Sequence, residues 1–190
     1  MIRPLRIAIA DDEAEIRDHY SKVIVRLGHE VVAAVGYWKG NFYVLEYKMM
    51  KGHTPNWTIA TFFEMAQKWK PRKIRIESTA YQRTLAWLIK EAMRARTQYY
   101  VIEEVDDKRG KGVRIIDSLQ GPASEGALFF QNNQSDLIEQ FVNYPNCQFD
   151  DIIDAVAMAV TGVKELMTWE AGAEDNEAGI PELEWRRKAP

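Results

Sequence analysis

A single cysteine, Cys147, stands in the 190 residues, so an internal disulfide framework and a cysteine-built zinc site are excluded. Its default role is a small, partly buried filler in a reducing compartment. Histidine is nearly as scarce. His19, His29 and His53 form no pair at ligand spacing, which argues against a histidine zinc centre and against a Ser-His-Asp mechanism. The Gly-x-x-x-x-Gly-Lys-Ser/Thr phosphate loop does not occur, so these residues are not expected to hydrolyse ATP by that route. No apolar run reaches the length of a membrane span, and the first residues lack the basic-then-apolar pattern of a secretion signal. The expectation is a soluble, cytoplasmic protein with no membrane partner. Neither sign of charge dominates, with 25 Lys and Arg against 28 Asp and Glu and a formal net charge of −3. A nucleic-acid surface would therefore be a local patch and not a property of the whole chain.

What is present suffices for a globular core: 46% of residues are hydrophobic and 11% aromatic. Leu5 to Asp11 reads as a short strand that ends in an acidic pair, Asp11 and Asp12. Glu13 to Leu27 carries Ile16, Tyr20, Val23, Ile24 and Leu27 near a 3.6-residue period, which predicts a helix capped by Gly28. Val31 to Tyr47 reads as a hairpin with Lys39-Gly40-Asn41 at its tip. An amphipathic helix over residues 57–69 stops before Pro71, and a strand over residues 73–78 delivers Glu77 at its C-terminal tip. That is a common place for working carboxylates in open α/β sheets. A helix from Tyr81 to Arg96, a strand over residues 99–105, a helix over 115–119, a strand over 127–130 and a helix over 134–142 follow. Beyond Thr168 the chain is polar and charged with little period, and a flexible tail is expected over residues 168–190.

Three carboxylates crowd the start of the next helix, Phe149-Asp150-Asp151-Ile152-Ile153-Asp154-Ala155-Val156. At about 100° per residue Asp150, Asp151 and Asp154 share one side, with Ile152, Ile153, Val156 and Val160 opposite. A capping aspartate at the positive end of the helix dipole explains one or two of these acids. Three of them on so apolar a helix point to a cation-facing cluster. Between Asp106 and Ile115, Lys108, Arg109, Lys111 and Arg114 stand among glycines, the pattern of a loop that approaches phosphates, although on composition alone a solvated charged loop is the commoner account.

The order of parts resembles the C-terminal nuclease domain of the large terminase subunit of tailed bacteriophages. The residues that carry the likeness are Gly40 to Leu45, Ile76-Glu77-Ser78-Thr79-Ala80-Tyr81-Gln82-Arg83, Lys111 to Ile115 with Leu119-Gln120, Phe129-Phe130, Asp136 to Phe141, Tyr144-Pro145 and Asp150 to Ala155, across about residues 31–163. The resemblance implies an α/β, ribonuclease-H-like mixed β-sheet flanked by helices. It also implies carboxylates from the first strand, a middle strand and the last helix gathered around Mg2+ or Mn2+, two ions in number. Carried over by position, Glu77 is the middle-strand carboxylate, and Asp150, Asp151 and Asp154 form the group on the last helix. The first carboxylate belongs at the end of the strand before the hairpin, where Asp11 or Asp12 stands if Leu5 to Asp11 takes the sheet's first place.

On this reading Asp11, Glu77 and Asp151 are catalytic, and Asp11, Asp12, Glu77, Asp150, Asp151 and Asp154 face metal. Two divalent ions about 4 Å apart can make a water nucleophilic and neutralise the leaving oxygen of a phosphodiester. Lys108, Arg109, Lys111 and Arg114 would follow the DNA backbone. The implied activity is endonucleolytic cleavage of concatemeric double-stranded DNA in the host bacterial cytoplasm. The implied partners are a terminase ATPase domain or subunit, the small terminase subunit and the portal. Residues 4–35 separately resemble the opening of a response-regulator receiver domain, in which the acidic pair holds magnesium. The expected organisation is a receiver-like strand-helix-strand segment over residues 1–35, a nuclease domain over 31–167 and the tail. The competing readings are a receiver-type phosphoacceptor and a catalytically inactive DNA-binding domain.

Overall fold

The computed structural model describes residues 21–27, 31–50, 54–77 and 80–177. Six strands form one mixed sheet in the order β5-β4-β1-β2-β3-β6. They are β1 (Ser21–Leu27), β2 (Val31–Trp38), β3 (Asn41–Met49), β4 (Lys73–Glu77), β5 (Ile102–Val105) and β6 (Leu128–Phe129). β1 runs antiparallel to β2 and parallel to β4, β2 is antiparallel to β3, and the outer strands β5 and β6 are parallel to their neighbours. Among the described residues five helices cover the sheet: α1 (Pro55–Trp69), α2 (Ala80–Arg96), α3 (Lys111–Ser124), α4 (Ser135–Asn143) and α5 (Asp151–Glu177).

Alternation along β2 assigns each helix to a face. Val31, Ala33 and Val35 enter a core with Ile115 and Leu119 of α3, Leu137 of α4 and the Ile152-to-Val163 stretch of α5. Val32 and Ala34 enter a second core with Phe62, Phe63 and Met65 of α1 and Leu85 and Ile89 of α2. A central strand buried on both faces must be apolar throughout, and β2 is. The hairpin tip turns through positive φ at Lys39 and Gly40. The +86° at Gly40 is a conformation a side chain would strain. α1 begins as its sequence dictates, with Pro55 in the first turn and the Thr54 hydroxyl accepting the Trp57 N–H at 3.4 Å. It ends at Lys70 in the left-handed region, ahead of Pro71. No helix among the described residues is long and apolar enough to cross a membrane.

Three expectations change, and one falls outside the described residues. The helix expected over Glu13 to Leu27 is a strand across Ser21–Leu27, which fills the sheet's central place between β2 and β4. Val23-Ile24-Val25 supplies a β-branched run that suits a strand bonded on both sides, and the helical period through it was coincidental. Ser21–Leu27 and Val31–Trp38 therefore form an antiparallel pair and not the helix and strand of a receiver opening. The strand expected at Leu5 to Asp11, with Asp11 and Asp12, lies outside the described residues. The loop expected around Lys111 is the first turn of α3, a helix that runs from Lys111 through Pro122 to Ser124. Finally, α5 continues to Glu177, so the first ten residues of the expected tail are helical, whereas residues 178–190 lie outside the described part.

Candidate active site

The C-terminal end of β4 carries Glu77, as its sequence position requires. β1 lies beside it in parallel register, with Arg26 opposite Ile76. One step further along that register brings Leu27 level with Glu77. The strand before the hairpin thus ends in a leucine, and Ser21–Leu27 contains no carboxylate.

The acids of α5 are arranged by three other side chains. Gln140 of α4, buried, accepts the backbone N–H of Ile152 and of Ile153, each at 3.1 Å. It caps the helix from outside, so the aspartates are not needed for capping and are released to other partners. Lys111 Nζ donates to Asp150 Oδ1 at 2.6 Å and to Asp151 Oδ1 at 2.8 Å. One turn later on the same face of α3, Arg114 donates from Nε to Asp154 Oδ1 at 2.7 Å and from Nη2 to Asp154 Oδ2 at 2.6 Å, a bidentate pair. Arg114 Nη1 stands 3.7 Å from Glu77 Oε1, so one guanidinium links the tip of β4 to the start of α5.

These two rungs differ in character. Arg114 and Asp154 are 5% and 3% exposed, and their attraction acts in a poor solvent for charge. Burial pushes the Asp154 carboxyl above its ordinary value against the pull of Arg114, while the carboxylate raises the guanidinium still further. Asp150 and Asp151 keep 38% and 49% of their side chains exposed and are open to an incoming ligand. Nearby, Arg109 closes on Asp107 with three side-chain hydrogen bonds of 2.6 to 3.2 Å and holds that carboxyl down at about 2.

The residues singled out from sequence therefore fall into groups. Glu77 and Asp154 meet through Arg114, and Asp150 and Asp151 meet through Lys111. Lys108 and Arg109 are exposed. The sequence reading places Arg114 with them as a phosphate contact, but it is buried and spent on Asp154, because a carboxylate as enclosed as Asp154 requires a cation. Lys111 likewise turns to Asp150 and Asp151. Gln140 was missed altogether, and nothing in its local sequence marks a cap reached from another helix.

Hard oxygen donors suit Mg2+ or Mn2+, and two of them already converge on one cation, the Lys111 ammonium. Among the described residues no group of three or more His, Cys, Asp or Glu side chains is placed to hold an ion by itself. Two carboxylates completed by water and substrate phosphate are nonetheless an ordinary magnesium environment. The donor chemistry fits a divalent ion.

A family model described as "Terminase Bacteriophage T7, Ribonuclease H-like domain" matches residues 28–128. Among solved structures, the chain resembles the large terminase nuclease of thermophilic phage G20c with bound zinc, at 18% identity, 76% of this chain, 82% of that chain and a TM-score of 0.57. It also resembles the human cytomegalovirus terminase nuclease domain, soaked with manganese and carrying an inhibitor, at 15% identity, 76% of this chain, 84% of that chain and a TM-score of 0.54. The large terminase of another thermophilic bacteriophage is matched at 8% identity and a TM-score of 0.50, over 72% of this chain and 34% of that one. At such identities the likeness is one of fold. No curated protein matches the sequence.

Proposed function

The chain belongs to the phage T7 terminase ribonuclease-H-like family, and from that premise we propose that it is a metal-dependent endonuclease that cuts concatemeric double-stranded DNA during genome packaging. One observation carries this reading. Glu77 at a strand tip and the paired Asp150 and Asp151 at a helix start gather hard oxygen donors around α3, with the pair already seated on a cation.

Asp150 and Asp151 would hold a divalent ion, with Glu77 as the carboxylate across the site. When bound, such an ion supplies a water of lowered pKa and neutralises charge on the leaving oxygen. The chain's own residues do the rest. Arg114 neutralises Asp154 and fixes the start of α5 against β4, so the distance between Glu77 and the aspartates is set before substrate arrives. Lys111 is a cation on the aspartates in the ion's absence, and Lys108 is an exposed cation for the backbone of DNA, a contact that reads no sequence. ATP-driven translocation would be supplied by a motor domain or subunit outside these residues, and the small subunit and portal would be its further partners. The setting is the host bacterial cytoplasm.

Supercoiled plasmid is the substrate of choice for a test. Nicking should require Mg2+ or Mn2+, stop with a chelator, and fall by at least about a hundredfold in Glu77→Ala and Asp151→Ala. Undiminished cleavage by both variants would refute the assignment. A specific observation favours a second reading, a catalytically inactive DNA-binding domain: the position in line with Glu77 on β1 is Leu27. Salt-sensitive DNA binding without nicking under any divalent ion would select it.

A further inference from the structure

The two rungs between α3 and α5 hold their acids by different means. Arg114 is buried and grips both oxygens of Asp154 with a planar fork, a geometry that fixes the side chain. Lys111, the first residue of the same helix, keeps 35% of its side chain exposed and meets Asp150 and Asp151 through one rotatable ammonium. The residues on either side of it are Gly110 and Gly112, so no adjacent side chain confines its four-carbon stem.

Charge makes this rung the exchangeable one. Two carboxylates and one ammonium leave one negative charge over, on side chains that are 38% and 49% exposed. A divalent ion cancels both carboxylates, and direct coordination at about 2.1 Å is closer than the 2.6 and 2.8 Å at which the lysine stands. The ammonium and the ion then repel each other across a few ångströms. Asp154 and Asp107 are already matched by Arg114 and Arg109, and Glu77 lies 3.7 Å from Arg114, so these acids do not compete for a displaced lysine. The anion that does is a phosphate of DNA brought to the same two aspartates.

We propose that Lys111 is an exchangeable counter-ion, which gives up Asp150 and Asp151 to a divalent ion and moves its ammonium to a backbone phosphate of the DNA at the site. The inference rests on the nuclease reading above and adds to it a coupling between ion and DNA. Lys111 serves the aspartates before the ion binds and the substrate afterwards, so each ligand strengthens the binding of the other by one common factor. The phosphate contact read from the sequence and the carboxylate pairing in the structure are then two stations of one side chain. Protein without an ion meets DNA with a surplus negative charge and an engaged lysine, and binds it poorly.

Binding, not cleavage, provides the test. Fluorescence anisotropy of a short labelled DNA duplex is followed across a salt series, in EDTA or in saturating Ca2+, which takes the same oxygen ligands. The parent should bind about tenfold or more tightly in Ca2+ than in EDTA. In Ca2+, Lys111→Met should weaken binding by about tenfold and reduce the salt slope by about one, whereas in EDTA it should change affinity by less than about threefold and leave the slope alone. The EDTA arm doubles as the folding control. An equal loss in both arms would make Lys111 a standing phosphate contact, no loss in either would leave it a partner of the aspartates alone, and no gain from Ca2+ in the parent would remove the coupling. Each of these overturns the exchange. The two readings fail separately. Plasmid nicking with an equal loss in both arms keeps the nuclease and removes the exchange, whereas a loss confined to Ca2+ without nicking does the reverse.

Discussion

Lys164 Nζ donates to the backbone carbonyl of Ser118 at 2.9 Å, the carbonyl that Pro122, four residues on in α3, has no N–H to reach. Ser118 is buried, so without this donor its carbonyl would be an unpaired acceptor. The contact ties α3 to α5 one level below the rungs of the candidate site. The Ser118 hydroxyl reinforces it by donating at 2.7 Å to Thr161, whose own hydroxyl hydrogen goes to the Ala157 carbonyl.

Lys164→Met keeps the apolar stem and removes the donor, and is expected to cost about 1 to 2 kcal/mol in urea unfolding. In a Pro122→Ala background the restored N–H can take over, so the same change should cost about 1 kcal/mol less. Equal costs in the two backgrounds would mean that the lysine does not stand in for the missing helical bond.

Arg114→Met strands a buried carboxylate and Asp154→Asn a buried guanidinium. Each should lose about 3 to 5 kcal/mol, measured by denaturant midpoint. Arg114→Met combined with Asp154→Leu should recover most of that loss, because the cost lies in the unpaired charge more than in the missing attraction.

Lys111→Met leaves Asp150 and Asp151 side by side without their cation. All three side chains are at least 35% exposed, so the metal-free protein should lose no more than about 1 kcal/mol. Because the ammonium no longer competes for the two oxygens, added Mn2+ should raise the melting temperature more in this variant than in the parent. A smaller metal-induced rise than in the parent would contradict the placement of the ion on these aspartates.

Asp107 provides a pH test. Its folded-state pKa is about 2 against an ordinary 3.8, the Arg109 hydrogen bond being the largest cause. A carboxyl depressed in this way contributes stability that is fully present above 3.8 and is lost as pH falls through about 2. Carbon-detected NMR should place the Asp107 midpoint near 2, and Arg109→Ala should return it towards 3.8.

Local rules read well wherever a residue's job is done by its neighbours. The Lys39-Gly40-Asn41 tip, the Thr54-Pro55 start and Pro71 stop of α1, Glu77 at a strand tip and the acid-apolar split of α5 all follow from adjacent residues. The failures share a different cause. Ser21–Leu27 satisfies a helical period and a β-branched run at once, and only its place between two strands decides. Lys111 and Arg114 read as a loop among glycines because the carboxylates that draw them into a helix start are about forty positions away. The helix expected over 115–119 runs on through Pro122 to Ser124, and the lysine that compensates for the missing N–H comes from α5. Gln140 caps a helix to which it does not belong.

The Arg114 and Asp154 pair also has a history written into it. A lineage that changes either residue alone passes through a chain carrying a stranded charge in its core, so the two positions are bound to drift together or not at all. Among relatives of this chain, position 154 should be acidic wherever position 114 is basic, and both should turn apolar in the same branches. Asp150 and Asp151, open to water, are under no such mutual constraint. On the proposed reading, only their shared role toward a divalent ion would keep them acidic.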